Sequence, residues 1–367
     1  KAIMHEVGQP LVARPSVEYN HTFLDDYMPN ETYYLSADMR AELRSHGQLD
    51  DQNMPAGTFA RHLANRLLID LSWNSSRLEG NTYSLLETEQ LISVDKAAAG
   101  KSSLDMQMIL NHKGAIEFLI DTAGEISFNR YTIFNLHALL SDNLLADHTA
   151  CGRLRSISVG IGQTAFLPLD GPQRIDESFT RFLEKVSDIQ DPFEQAFFVM
   201  AHLPYLQPFE DVNKRVSRLA ANIPFIQNNL CPLSFVDVPQ DLYISAMLGI
   251  YELNRVELLR DVFVWAYKRS CARYSVVRQT LGEPDPFRLV YREEIMHVVA
   301  AVVRQACTKS QAIDYVARYA QDQIEDSDHD RFLEVVHTQL LSLHEGNIAR
   351  YRIRPSQYHA WQQNWAS

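Results

Sequence analysis

The sequence predicts a mainly α-helical protein with one small β-hairpin, and three observations support this prediction. Apolar residues recur at helical spacing along most of the chain, capping signals precede several of these segments, and strand-like alternation occurs in one short stretch. The chain has 367 residues, of which 46% are hydrophobic. A chain of this size and composition can bury a large core, and we expect two domains.

Charge and cysteine content favour a soluble cytoplasmic protein. The net charge of −12 disfavours non-specific coating of nucleic acid. The four cysteines lie far apart in the sequence, which is typical of reduced thiols rather than of a disulfide framework or a zinc site. No apolar run approaches the roughly 20 residues of a membrane span, and the first residues lack the apolar segment of a signal peptide. We expect no membrane partner.

The predicted elements follow one another along the chain. Residues 1–57 form an irregular arm with one short helix near residues 39–45. Thr58 caps a helix that ends at Gly80, and a capping box opens the next helix at residues 84–87. Asp191 and Pro192 mark another helix start. Further helices are predicted at residues 104–122, 130–141, 216–222, 240–252, 256–274, 287–307, 311–319 and 328–343.

One stretch breaks the helical pattern. Ile157, Val159 and Ile161 alternate with small or polar residues, which predicts a strand over residues 156–162. Residues 166–168 are expected to form the return arm of a hairpin. Because a lone hairpin is marginally stable, we expect it to lean on the helical body.

The best domain boundary is the segment GEPDP at residues 282–286. It divides the chain into an N-terminal arm at residues 1–57, a central domain at 58–281 and a C-terminal helical domain at 282–367. Arg350, Arg352 and Arg354 form a small basic cluster in the last of these. Binding of nucleic acid by this domain therefore stays open.

The richest candidate site is the segment QPFEDVNKRVSR at residues 207–218. A helix that begins near Asn213 presents unpaired backbone N–H groups, which attract anions. Lys214, Arg215 and Arg218 add cations beside these groups, and an arginine fork suits phosphate oxygens. Asp211 could hold Mg²⁺ against such phosphates. The alternative is a solvated helix start with Asp211 as its cap.

This segment resembles the signature of the Fic family, H-P-F-x-[D/E]-G-N-G-R-x-x-R. Six positions match, at Pro208, Phe209, Asp211, Asn213, Arg215 and Arg218. The resemblance implies a Fic-type helical bundle that binds ATP and Mg²⁺ and transfers AMP to a hydroxyl of a target protein.

Two further segments extend the resemblance to roughly residues 59–274. SSRLEG at residues 75–80 resembles the family's inhibitory motif, [S/T]-x-x-x-E-[G/N], on a helix at 58–80. This implies that Ser75 and Glu79 belong to an inhibitory element in which Glu79 reaches Arg218. GRLR at residues 152–155 resembles the start of the family's flap, so an extended segment of the target is expected at 156–168.

The departures from the signature concern the chemistry. The family's histidine, which accepts the proton of the attacking hydroxyl, is Gln207 here, and a neutral amide is no base near pH 7. Val212 and Lys214 replace the two glycines of the loop, and a β-branched valine resists positive φ. The sequence DVNKR at residues 211–215 is more similar to that of the Doc branch of the family. Members of this branch transfer the γ-phosphate of ATP but keep the histidine.

Two classes of function stay open. The first is a weakened or altered Fic-type transferase, with AMP or a γ-phosphate as the transferred group. The second is a non-catalytic, nucleotide-responsive module whose output is delivered by the C-terminal domain, which could include a winged-helix unit. His202 is an alternative base, although a histidine near a helix end is more often structural. Homo-oligomerisation is a further open alternative.

Overall fold

The computed structural model describes residues 2–48, 55–274 and 285–365, and it confirms the mainly helical fold class. The N-terminal half contains α1 (Ala2–Val7), α2 (Thr22–Asp25), α3 (Ala37–Gly47), α4 (Thr58–His62), α5 (Ala64–Arg77), α6 (Leu85–Val94), α7 (Ser103–Asp121), α8 (Arg130–Ser141) and α9 (Pro172–Asp188). The remainder contains α10 (Pro192–Leu206), α11 (Asn213–Ala220), α12 (Ile223–Gln227), α13 (Gln240–Leu253), α14 (Glu257–Tyr274), α15 (Pro286–Val290), α16 (Arg292–Arg304), α17 (Lys309–Gln323), α18 (His329–Leu341) and α19 (Pro355–Trp365).

The chain forms two compact units. One comprises Lys1–Asn81 and Ser102–Arg278, and the other comprises Thr82–Lys101 and Gln279–Ser367. Most of the predicted boundary at residues 282–286 lies outside the described residues. The sequence predicts residues 82–101 in the central domain, whereas the structure groups them with the C-terminal unit. The reason is α6, which buries Leu86 in the core of that unit.

The first unit is built around α10. This helix is predominantly apolar, and each of its residues except Gln195 is buried. Helices α9, α11, α12 and α13 pack against it. It begins at the predicted cap, where Asp191 accepts hydrogen bonds from the backbone N–H groups of Phe193 and Glu194. Because α10 ends at Leu206 and α11 begins at Asn213, the core itself positions the segment between them.

The predicted hairpin at residues 156–168 is wrong. Residues 156–162 form no strand, and Phe166–Leu167 (β2) pairs in parallel with Val17–Glu18 (β1) of the N-terminal arm. In this segment polar side chains, and not a return strand, form hydrogen bonds with the backbone N–H and carbonyl groups. Arg155 donates to the carbonyl of Ile157 over 2.9 Å, and the Glu252 carboxylate accepts from the N–H of Ala165 over 3.0 Å.

The second unit has its own apolar core, and its described residues contain helices and no strand. The winged-helix alternative therefore lacks its β-wing in this part of the chain. Arg350 lies in a 3₁₀ turn at Ile348–Tyr351 rather than on a strand. Among the described residues of the whole chain, no helix combines the length and apolarity needed to cross a membrane.

Candidate functional site

The predicted anion site lies in the turn between α10 and α11. Gln207 ends α10 with φ of 50°, in the left-handed region. The buried Arg155, which lies just before residues 156–168, holds this turn by hydrogen bonds. Its Nε donates to the carbonyl of Gln207 over 2.6 Å, its backbone N–H donates to the carbonyl of Pro208 over 3.0 Å, and its Nη2 donates to the carbonyl of Leu169. A fixed turn of this kind can present N–H groups to a ligand without reorganising.

Asn213, at the first position of α11, ties the turn together. Its Oδ1 accepts from the N–H of Phe209 over 3.0 Å, and its Nδ2 donates to the carbonyl of the same residue over 3.0 Å. The same Nδ2 donates to Oε1 of Gln207 over 3.0 Å, while Nε2 of Gln207 donates to the carbonyl of Pro204 over 2.7 Å. Gln207 therefore holds the loop together at the position where the signature has a base.

Val212 adopts the conformation that a glycine would favour. Its φ is 69° and its ψ is 5°, and its side chain is buried. The left-handed region is strained for a β-branched residue, at a cost on the order of 1–3 kcal/mol. Val212 nevertheless adopts positive φ in this loop, against that preference. Because the Asp211 carboxylate accepts from the N–H of Val212 over 2.6 Å and Asn213 cross-links the turn, the surroundings impose the conformation.

Arg218 is fully buried, and each of its three guanidinium nitrogens donates at least one hydrogen bond. Nε donates to the hydroxyl of Ser75 over 3.0 Å, Nη1 donates to the hydroxyl of Tyr243 over 3.1 Å, and Nη2 donates to the carbonyl of Ser75 over 3.1 Å. Nη2 also lies 2.6 Å from Oε1 of Glu79. Burial opposes the charge, but Tyr243 and Glu79 raise the pKa of Arg218 above its ordinary value. The predicted Glu79–Arg218 ion pair is confirmed.

Glu79 bridges two cations, because its Oε2 lies 3.1 Å from Nζ of Lys214. Burial alone would raise the pKa of Glu79, but the charges of Arg218, Lys214 and Arg215 outweigh it and lower that pKa to about 2. The carboxylate is therefore ionised throughout the physiological range and sits among the cations that a phosphate would need.

Arg215 is the cation of this cluster with an unused donor. Its Nη1 is buried and, within the described residues, has no hydrogen-bond partner, and its Nη2 lies 3.9 Å from a carboxylate oxygen of Asp211. Burial lowers the pKa of Arg215, although Glu79 and Asp211 act in the opposite direction. An orphaned buried donor is costly, and a phosphate oxygen would satisfy it.

Asp211 suits a Mg²⁺ ion that is shared with phosphates. Its carboxylate is 70% exposed and accepts from the N–H of Val212, so it has free lone pairs. Among the described residues, no group of three or more histidine, cysteine, aspartate or glutamate side chains could hold a metal ion. Any Mg²⁺ here would thus depend on phosphate and water oxygens for most of its ligands.

Sequence reasoning missed the relay behind Ser75. Nδ1 of the buried His112 lies 2.8 Å from the carbonyl of Met108, so this nitrogen carries the proton. Nε2 then accepts from the hydroxyl of Ser75 over 2.8 Å, and that hydroxyl accepts from Arg218. Burial lowers the pKa of His112 to about 3, which keeps it neutral. No local spacing links residues 75, 112 and 218, so only the fold shows this connection.

His202 lies in an aromatic cluster and not among the residues of the loop. Its ring stacks on Phe198 at 4.2 Å and on Phe23 at 4.4 Å, and its Nε2 lies 2.7 Å from the hydroxyl of Tyr34. Burial lowers its pKa to about 3. The structural interpretation of this histidine is therefore the better one.

Comparison with known proteins points to one family. Residues 127–224 match the model of the Fic/DOC family. Curated relatives include protein adenylyltransferase fic-1 of Caenorhabditis elegans, 26% identical over 55% of this chain and 41% of that protein. Another is protein adenylyltransferase Fic of Nematostella vectensis, 27% identical over 44% of this chain and 38% of that protein. The chain spans about two fifths of the length of these relatives.

Solved structures agree on the fold. Fic-1 from C. elegans aligns with a TM-score of 0.51 and 22% identity over 66% of this chain and 70% of the other. A Fic family protein from Desulfovibrio desulfuricans aligns with a TM-score of 0.52 and 16% identity over 75% of this chain and 82% of the other. The family match covers α8 to α11 and the segment at 207–218, and it leaves α5 with Ser75 outside.

Proposed function

Residues 127–224 form a domain of the Fic/DOC family, and from this premise we propose that the chain binds ATP with Mg²⁺ at the turn between α10 and α11. The observation that carries the proposal is the buried Nη1 of Arg215 beside the N-terminus of α11, which has no hydrogen-bond partner in the part of the chain that the structure describes. Arg215, Lys214 and the backbone at Asn213 would hold phosphate oxygens, with Arg218 joining them once it is released. Asp211 would hold the Mg²⁺, which neutralises phosphate charge.

The proposed transfer is of AMP from ATP to a hydroxyl of a target protein. Its support is the pair of relatives that are named protein adenylyltransferases. The target would lie as an extended segment along residues 156–168, beside the bound nucleotide. Association into a homo-oligomer is compatible with this proposal but does not contribute to it.

Glu79 is proposed to restrain binding. Its two carboxylate oxygens engage Arg218 at 2.6 Å and Lys214 at 3.1 Å. A phosphate that needs the same donors must displace a carboxylate, in both charge and space. Release of Glu79 is therefore expected to free two cations at once.

Catalysis is proposed to be weak because Gln207, at the position of the base in the signature, cannot accept the proton of the attacking hydroxyl. Oε1 of Gln207 accepts a hydrogen bond from Asn213, and Nε2 of Gln207 donates one to the carbonyl of Pro204. Loss of a general base typically costs about 10²–10⁴-fold in rate. The engagement of both ends of Gln207 also favours a second candidate function, a nucleotide-responsive binding module that transfers nothing.

Nucleotide binding is tested by calorimetric titration of the full chain with ATP and Mg²⁺. We expect Glu79→Gly to bind more tightly than the unmodified chain, and Arg215→Ala in that background to weaken binding about tenfold, as loss of a charge-assisted bond does. Glu125→Gln, which replaces an exposed glutamate, is the control and should change nothing. Absence of binding at millimolar ATP in Glu79→Gly would contradict the proposed site.

Transfer is tested with ATP labelled separately at the α and γ positions. Gln207→His combined with Glu79→Gly should create or raise labelling of protein hydroxyls by up to about 10²–10⁴-fold. Label from the α position means AMP transfer, and label from the γ position means a Doc-like orientation. Binding without transfer in the double variant would favour the non-catalytic module. Transfer by the unmodified chain at the rate of the double variant would contradict the role given to Gln207.

A further inference from the structure

A cavity of about 300 Å³ lies entirely within the second unit, away from the family domain in sequence. Helices α15 and α18 and the 3₁₀ turn at Ile348–Tyr351 all pack on α16 around it. Its walls carry three guanidinium groups, those of Arg288, Arg292 and Arg350. This volume is at the lower end of the range typical of sites for small organic molecules.

The charge of the cavity is one-sided. No aspartate or glutamate is among the described residues that line it, although the chain as a whole has a net charge of −12. Arg288 has an acidic neighbour, with Nε 3.8 Å from a carboxylate oxygen of Asp285. Arg292 and Arg350 have no acidic partner within the described residues. Two uncompensated guanidinium groups beside one concave wall attract an anion.

The floor of the cavity is largely apolar. Ile295, Val335 and Tyr351 are buried, and the hydroxyl of Tyr351 donates to Oε1 of Gln339. The guanidinium carbon of Arg350 lies 5.6 Å from the centroid of the Tyr351 ring. Burial raises the pKa of Tyr351, while the nearby charges of Arg350 and Arg288 lower it in part, so both cations act on the same hydroxyl. An apolar floor with cations at its rim matches an amphipathic ligand rather than a bare inorganic ion.

We propose that this cavity binds a small organic anion, with a carboxylate or phosphate held by Arg288, Arg292 and Arg350 and a flat apolar body placed against Tyr351. Arginine forks accept both head groups in bidentate geometry, so the head group is the part that experiment must distinguish.

The test is titration of the full chain with benzoate, phenyl phosphate, inorganic phosphate and the uncharged benzyl alcohol, followed by calorimetry. We expect benzoate or phenyl phosphate to bind at least tenfold more tightly than benzyl alcohol and inorganic phosphate. Arg292→Gln and Arg350→Gln should each weaken that binding about tenfold, because each removes a charge-assisted bond without leaving an unpaired acid. Preference for one of the two aromatic anions identifies the head group.

Two controls separate this cavity from other cations of the chain. Arg318→Gln, which replaces an exposed arginine of α17 outside the cavity lining, should leave binding unchanged. Arg215→Ala, which alters the site in the first unit, should also leave it unchanged. Equal binding of benzyl alcohol, or equal affinity in Arg292→Gln, Arg350→Gln and Arg318→Gln, would overturn the proposal.

Discussion

Lys214 replaces a glycine of the family signature, and the structure gives this lysine a contact that the signature does not contain. Its Nζ lies 3.1 Å from Oε2 of Glu79, on the oxygen that does not face Arg218. Lys214 is about one-third exposed, so solvent screens this contact and its strength is modest. Lys214 can nevertheless pair with the carboxylate of Glu79 or with a phosphate, but it cannot form a full ion pair with both at once.

This competition makes a prediction for ATP affinity. Lys214→Ala should weaken binding of ATP with Mg²⁺ about tenfold in the Glu79→Gly background, where the lysine is free for phosphate. With Glu79 present it should weaken binding less than about threefold, because the lysine is already engaged. A double-mutant cycle by calorimetry measures the difference. Lys268→Ala, which removes a surface lysine paired with Glu42, is the matched control. Equal effects of Lys214→Ala in the two backgrounds would contradict the competition.

For single residues, the sequence predicts some of the contacts of the candidate site. The motif at residues 75–80 predicts the contact of Glu79 with Arg218, and the structure confirms it. The left-handed conformation of Val212 and the role of Arg155 could not be predicted. Both depend on hydrogen bonds that the surrounding backbone imposes, whereas local preference points the other way for valine.

At the scale of elements, α5 and α11 are joined by a buried polar relay rather than by apolar packing alone. Ser75 on α5 accepts from Arg218 on α11 and donates to His112 on α7. One hydroxyl therefore satisfies two buried groups on two other helices. Because those groups are buried, loss of the hydroxyl removes the hydrogen bonds of Nε of Arg218 and of Nε2 of His112.

Ser75→Ala should accordingly lower the free energy of unfolding by about 1–3 kcal/mol. The matched control is Ser72→Ala on the same helix, since Ser72 is also buried but its hydroxyl has no hydrogen-bond partner within the described residues. That change should be close to neutral. Urea unfolding of both variants measures the difference. Similar losses for Ser72→Ala and Ser75→Ala would show that the relay contributes nothing.

Helices were predictable where a cap and a periodic apolar face coincide. The capping box at Ser84 and Glu87 and the start of α10 at Asp191 are confirmed, as is the helix at residues 130–141. Alternation wrongly predicted a strand at residues 156–162, because Ile157 is 54% exposed and no strand of the described residues pairs with this segment. The actual partner of β2 is about 150 residues away in sequence, and local patterns carry no information on such pairing.

At the scale of the whole molecule, buried neutral histidines are the main acid-sensitive groups. Burial lowers the pKa of His112 and His202 to about 3, and that of His137 and His337 to about 4. In the unfolded chain a histidine has a pKa of about 6.5. Between these values the unfolded state binds more protons than the folded state, so stability falls as pH decreases below about 6.5. The contribution of Glu79 is lost only at lower pH, between its ordinary pKa of 4.5 and about 2.

We therefore predict a steep loss of stability between pH 7 and pH 5.5, on the order of 1 kcal/mol per buried histidine. His337→Leu should reduce this loss by about one histidine's share, since neither ring nitrogen of His337 has a hydrogen-bond partner among the described residues. Urea midpoints measured across this pH range provide the test. An unchanged slope in His337→Leu would contradict the assignment.

The division into two units was only partly predictable. Gly and Pro at residues 282–286 indicate a boundary, yet nothing in the local sequence shows that residues 82–101 belong with the C-terminal residues. Contacts such as the 3.0 Å ion pair of Glu89 with Lys309 join segments more than 200 positions apart. Assignments of this kind come from long-range packing, which periodicity and composition do not encode.

The parallel pairing of Val17–Glu18 with Phe166–Leu167 has a kinetic consequence for any extended segment that would add to β2 on the same side. The arm belongs to the same chain as β2, so its re-pairing with β2 does not depend on protein concentration. An incoming segment at micromolar concentration can enter only during intervals when the arm has detached. The observed rate of capture would then saturate at the detachment rate of the arm, and the residence time of the captured segment would not affect that limit. The detachment rate of the N-terminal arm would thus set the maximum rate at which a segment can add to this edge of β2.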